Sequence, residues 1–306
     1  MASIKEATIY RLKVHSDMVV EKIMGGLQQY AFQPCGKTQE LSHGFTPVAD
    51  NNFVLMGDHL VLFRYKIEEK ILPKTVIEHH AQKRIVEAEE KNGKPLSKQE
   101  KDQIKEAVRI ELLPRAFSLY KTIDAYIDTQ NGWLVVGSCN NTVLDYVLSA
   151  IRQVVSGFSS ELMVTRDEPS AKMTAWIFQE ALDFSAFWLG DSAKITNHDG
   201  GAINCRKEDL QNEEIIELCQ SRQVKQLTLE SMHYTFDITE HMQIKRLKID
   251  DAYTESHINS DEEEDKLHYL RVNAFVTQQT ISEIINTLIK AFGGLVEEKA
   301  PEEKAA

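Results

Sequence analysis

Apolar and polar residues alternate along several short stretches of this chain. Between them apolar residues recur every three to four positions, so strands and helices are interspersed from end to end. Residues 7–14 (ATIYRLKV) predict a strand, followed by a helix over about 17–30 in which Gly25-Gly26 weakens the helix and permits close packing. Residues 53–56 and 59–67 read as strands on either side of a Gly57-Asp58 turn, and 122–128 and 133–138 as a hairpin around Asn131-Gly132. Asn140 or Asn141 caps a helix reaching about 155, with Val143, Val147, Leu148 and Ile151 on one face.

The second half repeats the style. A short strand over 162–165 precedes a helix starting near Pro169, a turn at His198-Asp199-Gly200-Gly201 and an extended run over 202–206. Asn212 caps a short helix, and three strands follow over 223–229, 232–239 and 244–249. Residues 250–265 read as an acidic surface loop, 267–276 as a strand and 280–292 as the last helix. Strands that mostly meet as hairpins, with helices between them, define an α+β fold with largely antiparallel sheets.

One stretch interrupts this pattern. Over residues 66–120 two helices are expected, at about 75–91 and 98–112, each roughly 25 Å long at 1.5 Å per residue. Thr75 with Glu78 and Ser97 with Glu100 fit the capping box; Asn92-Gly93 and Pro95 close the first helix, and Pro114 stops the second. Lys98, Lys101, Lys105 and Arg109 fall along one side of the second helix, beside an apolar stripe of Ile104, Val108 and Leu112. The bland alternative is a solvated face balanced by Glu100, Asp102, Glu106 and Glu111. Just past the helix break stands Leu113-Pro114-Arg115-Ala116-Phe117, an arginine two residues from an aromatic, which suits a nucleic-acid backbone and exposed base faces. The chain divides accordingly into a β-α-β-β part (1–70), an inserted helical hairpin arm (71–121), a hairpin plus helix (122–160), a C-terminal α+β part (161–296) and a disordered tail (297–306).

Charge sharpens the picture. The chain has 306 residues and a formal net charge of −12, yet residues 66–120 carry 12 Lys and Arg against 10 Asp and Glu. An acidic total opposes phosphate binding only if the cations are dispersed; gathered on one surface they still attract a polyanion. No apolar run long enough to span a membrane occurs, and the first residues, MASIKEATIYRLKV, lack an apolar signal core, so a cytosolic protein is expected. Cys35, Cys139, Cys205 and Cys219 are scattered without a CxxC pair, which argues against a zinc site and a disulfide framework.

Candidate chemistry is sparse. Asp58 with Glu68-Glu69-Lys70 resembles the half-site of Mg²⁺-dependent nucleases, in which two carboxylates hold the metal and the lysine assists water. Asp58 would lie roughly 30 Å away along the strand at 3.3 Å per residue, too far for one metal. Glu78-His79-His80 shows no third ligand at helical spacing, and Asp199-Gly200-Gly201 matches neither phosphate-binding loop pattern and reads as a turn. No cofactor is expected, and nothing compels an enzyme. A second basic cluster comprises Arg206-Lys207 and Lys245-Arg246-Leu247-Lys248; within a regular strand Lys245 would oppose Arg246, and a solvated edge strand is the alternative.

Taken together, Glu68-Glu69-Lys70-Ile71-Leu72-Pro73 with Val76-Ile77, Leu112-Leu113-Pro114-Arg115-Ala116-Phe117-Ser118, Ile127-Asp128-Thr129 with Asn131-Gly132, Asp199-Gly200-Gly201, Arg206-Lys207 with Asp209-Leu210 and Glu213-Glu214-Ile215, and Lys245-Arg246-Leu247-Lys248 occur in an order that resembles the RdgC family of recombination-associated proteins. The resemblance spans nearly the whole chain. Departures gather in the N-terminal third after the first strand, in the acidic 250s and at Glu208. It implies a non-enzymatic, nucleoid-associated protein that binds DNA without sequence preference as a ring-shaped homodimer enclosing the duplex, and that limits the recombinase RecA by occupying DNA. The alternatives are the nuclease and an acidic protein that contacts the recombinase directly. Expected phosphate contacts are Lys98, Lys101, Lys105, Arg115, Lys207 and Lys248, then Lys70 and Lys94; Phe117 would pack at a subunit contact or touch exposed bases.

Overall fold

Residues 4–179, 182, 186–197, 199–258 and 266–296 are described by the computed structural model. Among them β1 (Thr8–Leu12), β2 (Leu41–Thr46), β3 (Val54–Gly57), β4 (Leu60–Ile71), β5 (Phe117–Asp128), β6 (Trp133–Val136) and β7 (Ser160–Leu162) build a seven-stranded sheet in the order β2-β4-β5-β6-β1-β7. β2 pairs the distal half of β4 and β3 its proximal half, and every pairing is antiparallel. A five-stranded antiparallel sheet, in the order β12-β11-β10-β8-β9, comprises β8 (Trp188–Thr196), β9 (Ala202–Arg206), β10 (Gln223–Glu230), β11 (Tyr234–Thr239) and β12 (Ile244–Ile249). The helices are α1 (Ser16–Gly26), α2 (Lys74–Asn92), α3 (Lys98–Leu112), α4 (Asn141–Val154), α5 (Pro169–Ile177), α6 (Glu213–Cys219), α7 (Asp251–Glu255) and α8 (Lys266–Ala291). The α+β class with antiparallel sheets is as the alternation predicts.

Two apolar cores hold these layers. On one face of the larger sheet, Tyr10, Phe63, Ile123 and Leu134 pack with Val19 and Ile23 of α1 and Val147 and Ile151 of α4. Gly26 permits that approach, because a Cβ there would meet Val154 Cγ1 at 2.6 Å. On the other face, Ile9, Leu62, Tyr126 and Val135 share a core with α8 and with the inner face of the smaller sheet, so among the described residues that sheet is covered on one side only. Leu60–Phe63 of β4 and Trp133–Val136 of β6, buried on both faces, therefore read as continuous apolar runs. Buried Asp128 at the β5–β6 turn accepts from the Gln130 and Asn131 amides and from Gln278 and Ser282 of α8 at 2.8–3.1 Å, fixing α8 to the hairpin. Ala7 and Ile244 exchange backbone hydrogen bonds that join the two sheets.

Several expectations change. Residues 267–276 are not a strand: α8 runs unbroken from Lys266 to Ala291, since no Gly or Pro interrupts it and Leu267, Leu270, Ala274, Ile281, Ile284, Ile285 and Leu288 recur at helical spacing toward the core. The Thr75 capping box does not form; extended Pro73 starts α2, placing Thr75 inside the first turn. The Ser97–Glu100 box does form, and Gly93 closes α2 at φ 65°. The β3–β4 turn is Asp58-His59, with His59 at φ 56°, rather than Gly57-Asp58, because Gly57 pairs Leu60. The predicted strand over 162–165 shifts to Ser160–Leu162. β2 and β8 were not anticipated, and part of the acidic loop is α7. Residues 261–265 and the tail 297–306 lie outside the described residues.

Candidate nucleic-acid interface

Two surfaces carry the cations singled out above, and their electrostatics differ. The first is the helix pair. α2 and α3 run antiparallel along a thin seam of Ala81, Ile85 and Val108, and touch the rest of the protein sparsely. The lysine stripe of α3 forms, but most of it is already matched. Lys101 Nζ lies 2.9 Å from Glu89 of α2, Lys105 is 3.8 Å from Asp102, and Arg109 binds Glu40, ahead of β2, as well as Glu106. Arg84 of α2 similarly meets Glu111 of α3. Lys94, Lys98 and Arg115 are exposed and make no ion pair among the described residues. Exposed ion pairs contribute only about 0–1 kcal/mol each. A phosphate could displace them, but it would exchange one weak partner for another.

At the base of the helix pair, the motifs EEKILP and LLPRAFS meet in space: Ile71 pairs Phe117, and Lys70 pairs Ser118. Glu68 is 2% exposed there. It accepts from the Ser118 hydroxyl at 2.6 Å, the Cys35 amide at 2.8 Å and the Tyr120 hydroxyl at 3.2 Å, with Lys70 Nζ at 3.8 Å. The hydrogen bonds from Ser118 and Cys35 hold its carboxyl below the usual carboxylate range, against the opposing push of burial. Both oxygens of Glu68 are thus occupied by protein donors, and Lys70 is drawn inward instead of facing a ligand. Among the described residues no three His, Cys, Asp or Glu side chains converge as a metal site. Asp199-Gly200-Gly201 turns the chain between β8 and β9, with the Gly200 and Gly201 amides donating to Asn197. Phe117 is 84% exposed and stands with exposed Ile71 and Leu119 on one sheet face.

The second surface is the outer face of the smaller sheet. Register builds it row by row. Trp188, Glu230, Thr235 and Lys248 lie side by side across β8, β10, β11 and β12; Asn204, Lys194, Gln226 and Thr239 form a parallel row across β9, β8, β10 and β11. Between them sit Arg206, opposite Ser192, and Arg246. A β-bulge places one extra residue on β12, and Arg246 occupies it at φ 50°. The bulge changes the expectation drawn from a regular strand: Lys245 pairs Asp237, the residue that Arg246 binds, so these two neighbours no longer stand on opposite faces. Arg246 Nε and Nη2 donate to buried Asp237 at 2.6 and 2.7 Å, and Nη2 also reaches Thr228. Lys194, Arg206, Lys207 and Lys248 are exposed without ion pairs among the described residues, and Lys207 ends β9 at φ 56°. A polar cleft of about 270 Å³ opens between Lys194, Asn204, Arg206, Gln226 and Arg246.

Of these groups, Lys207 and Lys248 are among the expected phosphate contacts, Arg206 and Arg246 belong to the second basic cluster, and Lys194 has no counterpart in the sequence reading. Lys194 sits in β8, where Gly190 and Asp191 interrupt the apolar alternation, whereas Arg246 lies two residues from Lys248 on the same strand.

No helix among the described residues is long and apolar enough to cross a membrane. Against known proteins, a family model described as "Putative exonuclease, RdgC" matches residues 3–295. A protein of Mannheimia succiniciproducens named Recombination-associated protein RdgC is 31% identical over 296 residues, covering 95% of this chain and 97% of its own length. Proteins of the same name from Haemophilus influenzae Rd and Pseudomonas aeruginosa PAO1 are 29% identical over 297 residues and 28% over 295, covering 95% and 94% of this chain and 97% and 95% of their own. The motif order read from the sequence and this match along nearly the whole length agree: the chain belongs to the RdgC family.

Proposed function

We propose that this protein binds DNA without sequence preference, as a ring-shaped homodimer that encloses the duplex, and that it limits RecA-dependent recombination by occupying DNA. The observation that carries the reading is the outer face of the five-stranded sheet, where Lys194, Arg206, Arg246 and Lys248 share one surface, with Lys207 exposed just past the end of β9, on an otherwise acidic protein. Five strands at about 4.8 Å give a platform about 19 Å across, broad enough to meet several phosphates at once. Lys94, Lys98 and Arg115 on the helix pair add a second, weaker contact, in which Lys101 and Lys105, already matched by Glu89 and Asp102, take a small part. Exposed Phe117, Leu119 and Ile71 offer an apolar rim suited to a subunit contact. Such a protein works in the nucleoid and needs neither metal nor cofactor.

Duplexes of unrelated sequence should bind with affinities within about threefold of one another and weaken steeply with salt. A dimeric mass in solution, with linear duplex held more readily than closed circles, supports the ring; equal capture of both by a monomer overturns it. Recombinase inhibition should be relieved by excess DNA, whereas inhibition that persists at saturating DNA indicates direct contact with the recombinase.

A further inference from the structure

The outer face of the smaller sheet carries a single tryptophan among its described residues. Leu189 and Leu229 pair and face the core, so Trp188 and Glu230, the next pair, project to the opposite side with the cations. Trp188 is 48% exposed, while Trp133 and Trp176 are 5% and 1% exposed. Its Nε1–H donates to Glu230 Oε2 at 3.1 Å. The bond ties one edge of the indole to β10, and the ring meets no other aromatic among the described residues. Beside it, Gly190 keeps the surface low, since a Cβ there would lie 2.7 Å from Thr228 Cγ2. Thr228 in turn touches Arg246 at 2.9 Å. Residues two apart on a strand are separated by about 7 Å, so Glu230, which holds the indole, is one such step from the residue that holds the arginine.

A rigid aromatic beside cations on an open surface is the combination that accommodates single strands. Cations follow the phosphates, and the ring stacks on a base whatever its identity. In a duplex the bases are stacked on one another, and the indole has nothing to meet.

We propose that Trp188 is a stacking platform for an unpaired base of single-stranded DNA whose phosphates lie over Arg246, Arg206 and Lys248. Trp188 then discriminates single from double strands on a surface where the cations serve both. The inference rests on the DNA-binding reading above and extends it.

The test uses the full chain with a labelled oligothymidylate of about 12 nucleotides and a labelled duplex of mixed sequence. Trp188→Ala should weaken oligothymidylate binding about tenfold or more and change duplex binding less than about twofold. Unlabelled oligothymidylate should quench intrinsic tryptophan fluorescence in the wild type, because the other two tryptophans are buried. Trp188→Phe, which keeps a ring, should lose the quench while retaining single-strand affinity within about threefold; it also serves if the alanine variant fails to fold. Equal losses for both DNA forms, no loss for either, or a quench that survives Trp188→Phe would overturn the proposal. A wild type that binds neither DNA at low salt removes the DNA-binding reading, and this inference with it; a wild type that binds both, with Trp188→Ala changing neither, removes this inference alone.

Discussion

The helix pair and the outer face of the five-stranded sheet bear similar numbers of cations but differ in what surrounds them. On α3, Lys101, Lys105 and Arg109 each lie against a carboxylate of their own or a neighbouring element. On the sheet, Lys194, Arg206 and Lys248 make no ion pair among the described residues, and Arg246 is tied to an aspartate that is itself buried. A helix surface rich in both signs neutralises itself, because residues three and four apart are neighbours. A sheet face collects every second residue of each strand and puts cations from distant parts of the chain on one plane. Local charge density in the sequence is thus a weaker guide to a polyanion site than the face on which the charges emerge.

The largest expected effect breaks this comparison directly. Replacing Lys194, Arg206 and Lys248 together with Glu should lower duplex affinity about 10³-fold or more near physiological salt, since each reversal removes one phosphate contact and adds a repulsion. Gel-shift titration checks it. The matching triple of Lys98, Lys101 and Lys105 with Glu should cost about tenfold, uniformly across sequences, because two of the three cations already have partners. Comparable losses in the two triples would erase the distinction.

Glu68 sharpens the comparison from the side of the framework. Glu68→Ala leaves the Ser118, Tyr120 and Cys35 donors without their acceptor and should destabilise the protein by about 2–3 kcal/mol, seen in a denaturant melt. Because the folded carboxyl titrates below its ordinary value, its contribution is fully present above about pH 4.5 and is lost as pH falls through the folded value. The stability gap between wild type and Glu68→Gln should therefore stay constant from neutrality down to about pH 5 and narrow below it. A nuclease in which Glu68 held Mg²⁺ would instead lose metal-dependent cleavage in Glu68→Gln, and cleavage abolished by that change would contradict the structural role. The smallest effect belongs to Ser97→Ala, which removes the cap of α3: about 1 kcal/mol of stability, with duplex affinity unchanged.

What the sequence disclosed was largely local. Ser97–Glu100, Gly93, Asn140 and Asn212 are caps whose chemistry lies within a few residues, and each is found where the residue types place it. The motifs EEKILP and LLPRAFS also identified the family correctly. The missing parts depend on distant partners. β2 contains Ser42, His43 and Gly44, too polar to signal a strand, and is defined by its pairing with β4. α8 was split because Leu267 to Val276 is rich in branched and aromatic residues, whereas two opposing sheets select its helical stripe. Glu68 resembled half of a metal site until Cys35 and Ser118 were brought to its oxygens. The sheet-face cluster was mostly legible, as the basic pairs around Arg206-Lys207 and Lys245 to Lys248; Lys194 was not, because β8 is interrupted by Gly190 and Asp191 and is defined by its pairing with β10.

The most direct test of the central claim is the salt dependence of duplex affinity in three proteins: wild type, Lys194→Ala/Arg206→Ala/Lys248→Ala, and Lys98→Ala/Lys101→Ala/Lys105→Ala. Each lost phosphate contact reduces the slope of log affinity against log salt by about 0.9. The account predicts that the sheet variant loses about 2.7 from its slope and the helix variant about 1. A sheet variant with the wild-type slope, or a helix variant that loses more than the sheet variant, would contradict it.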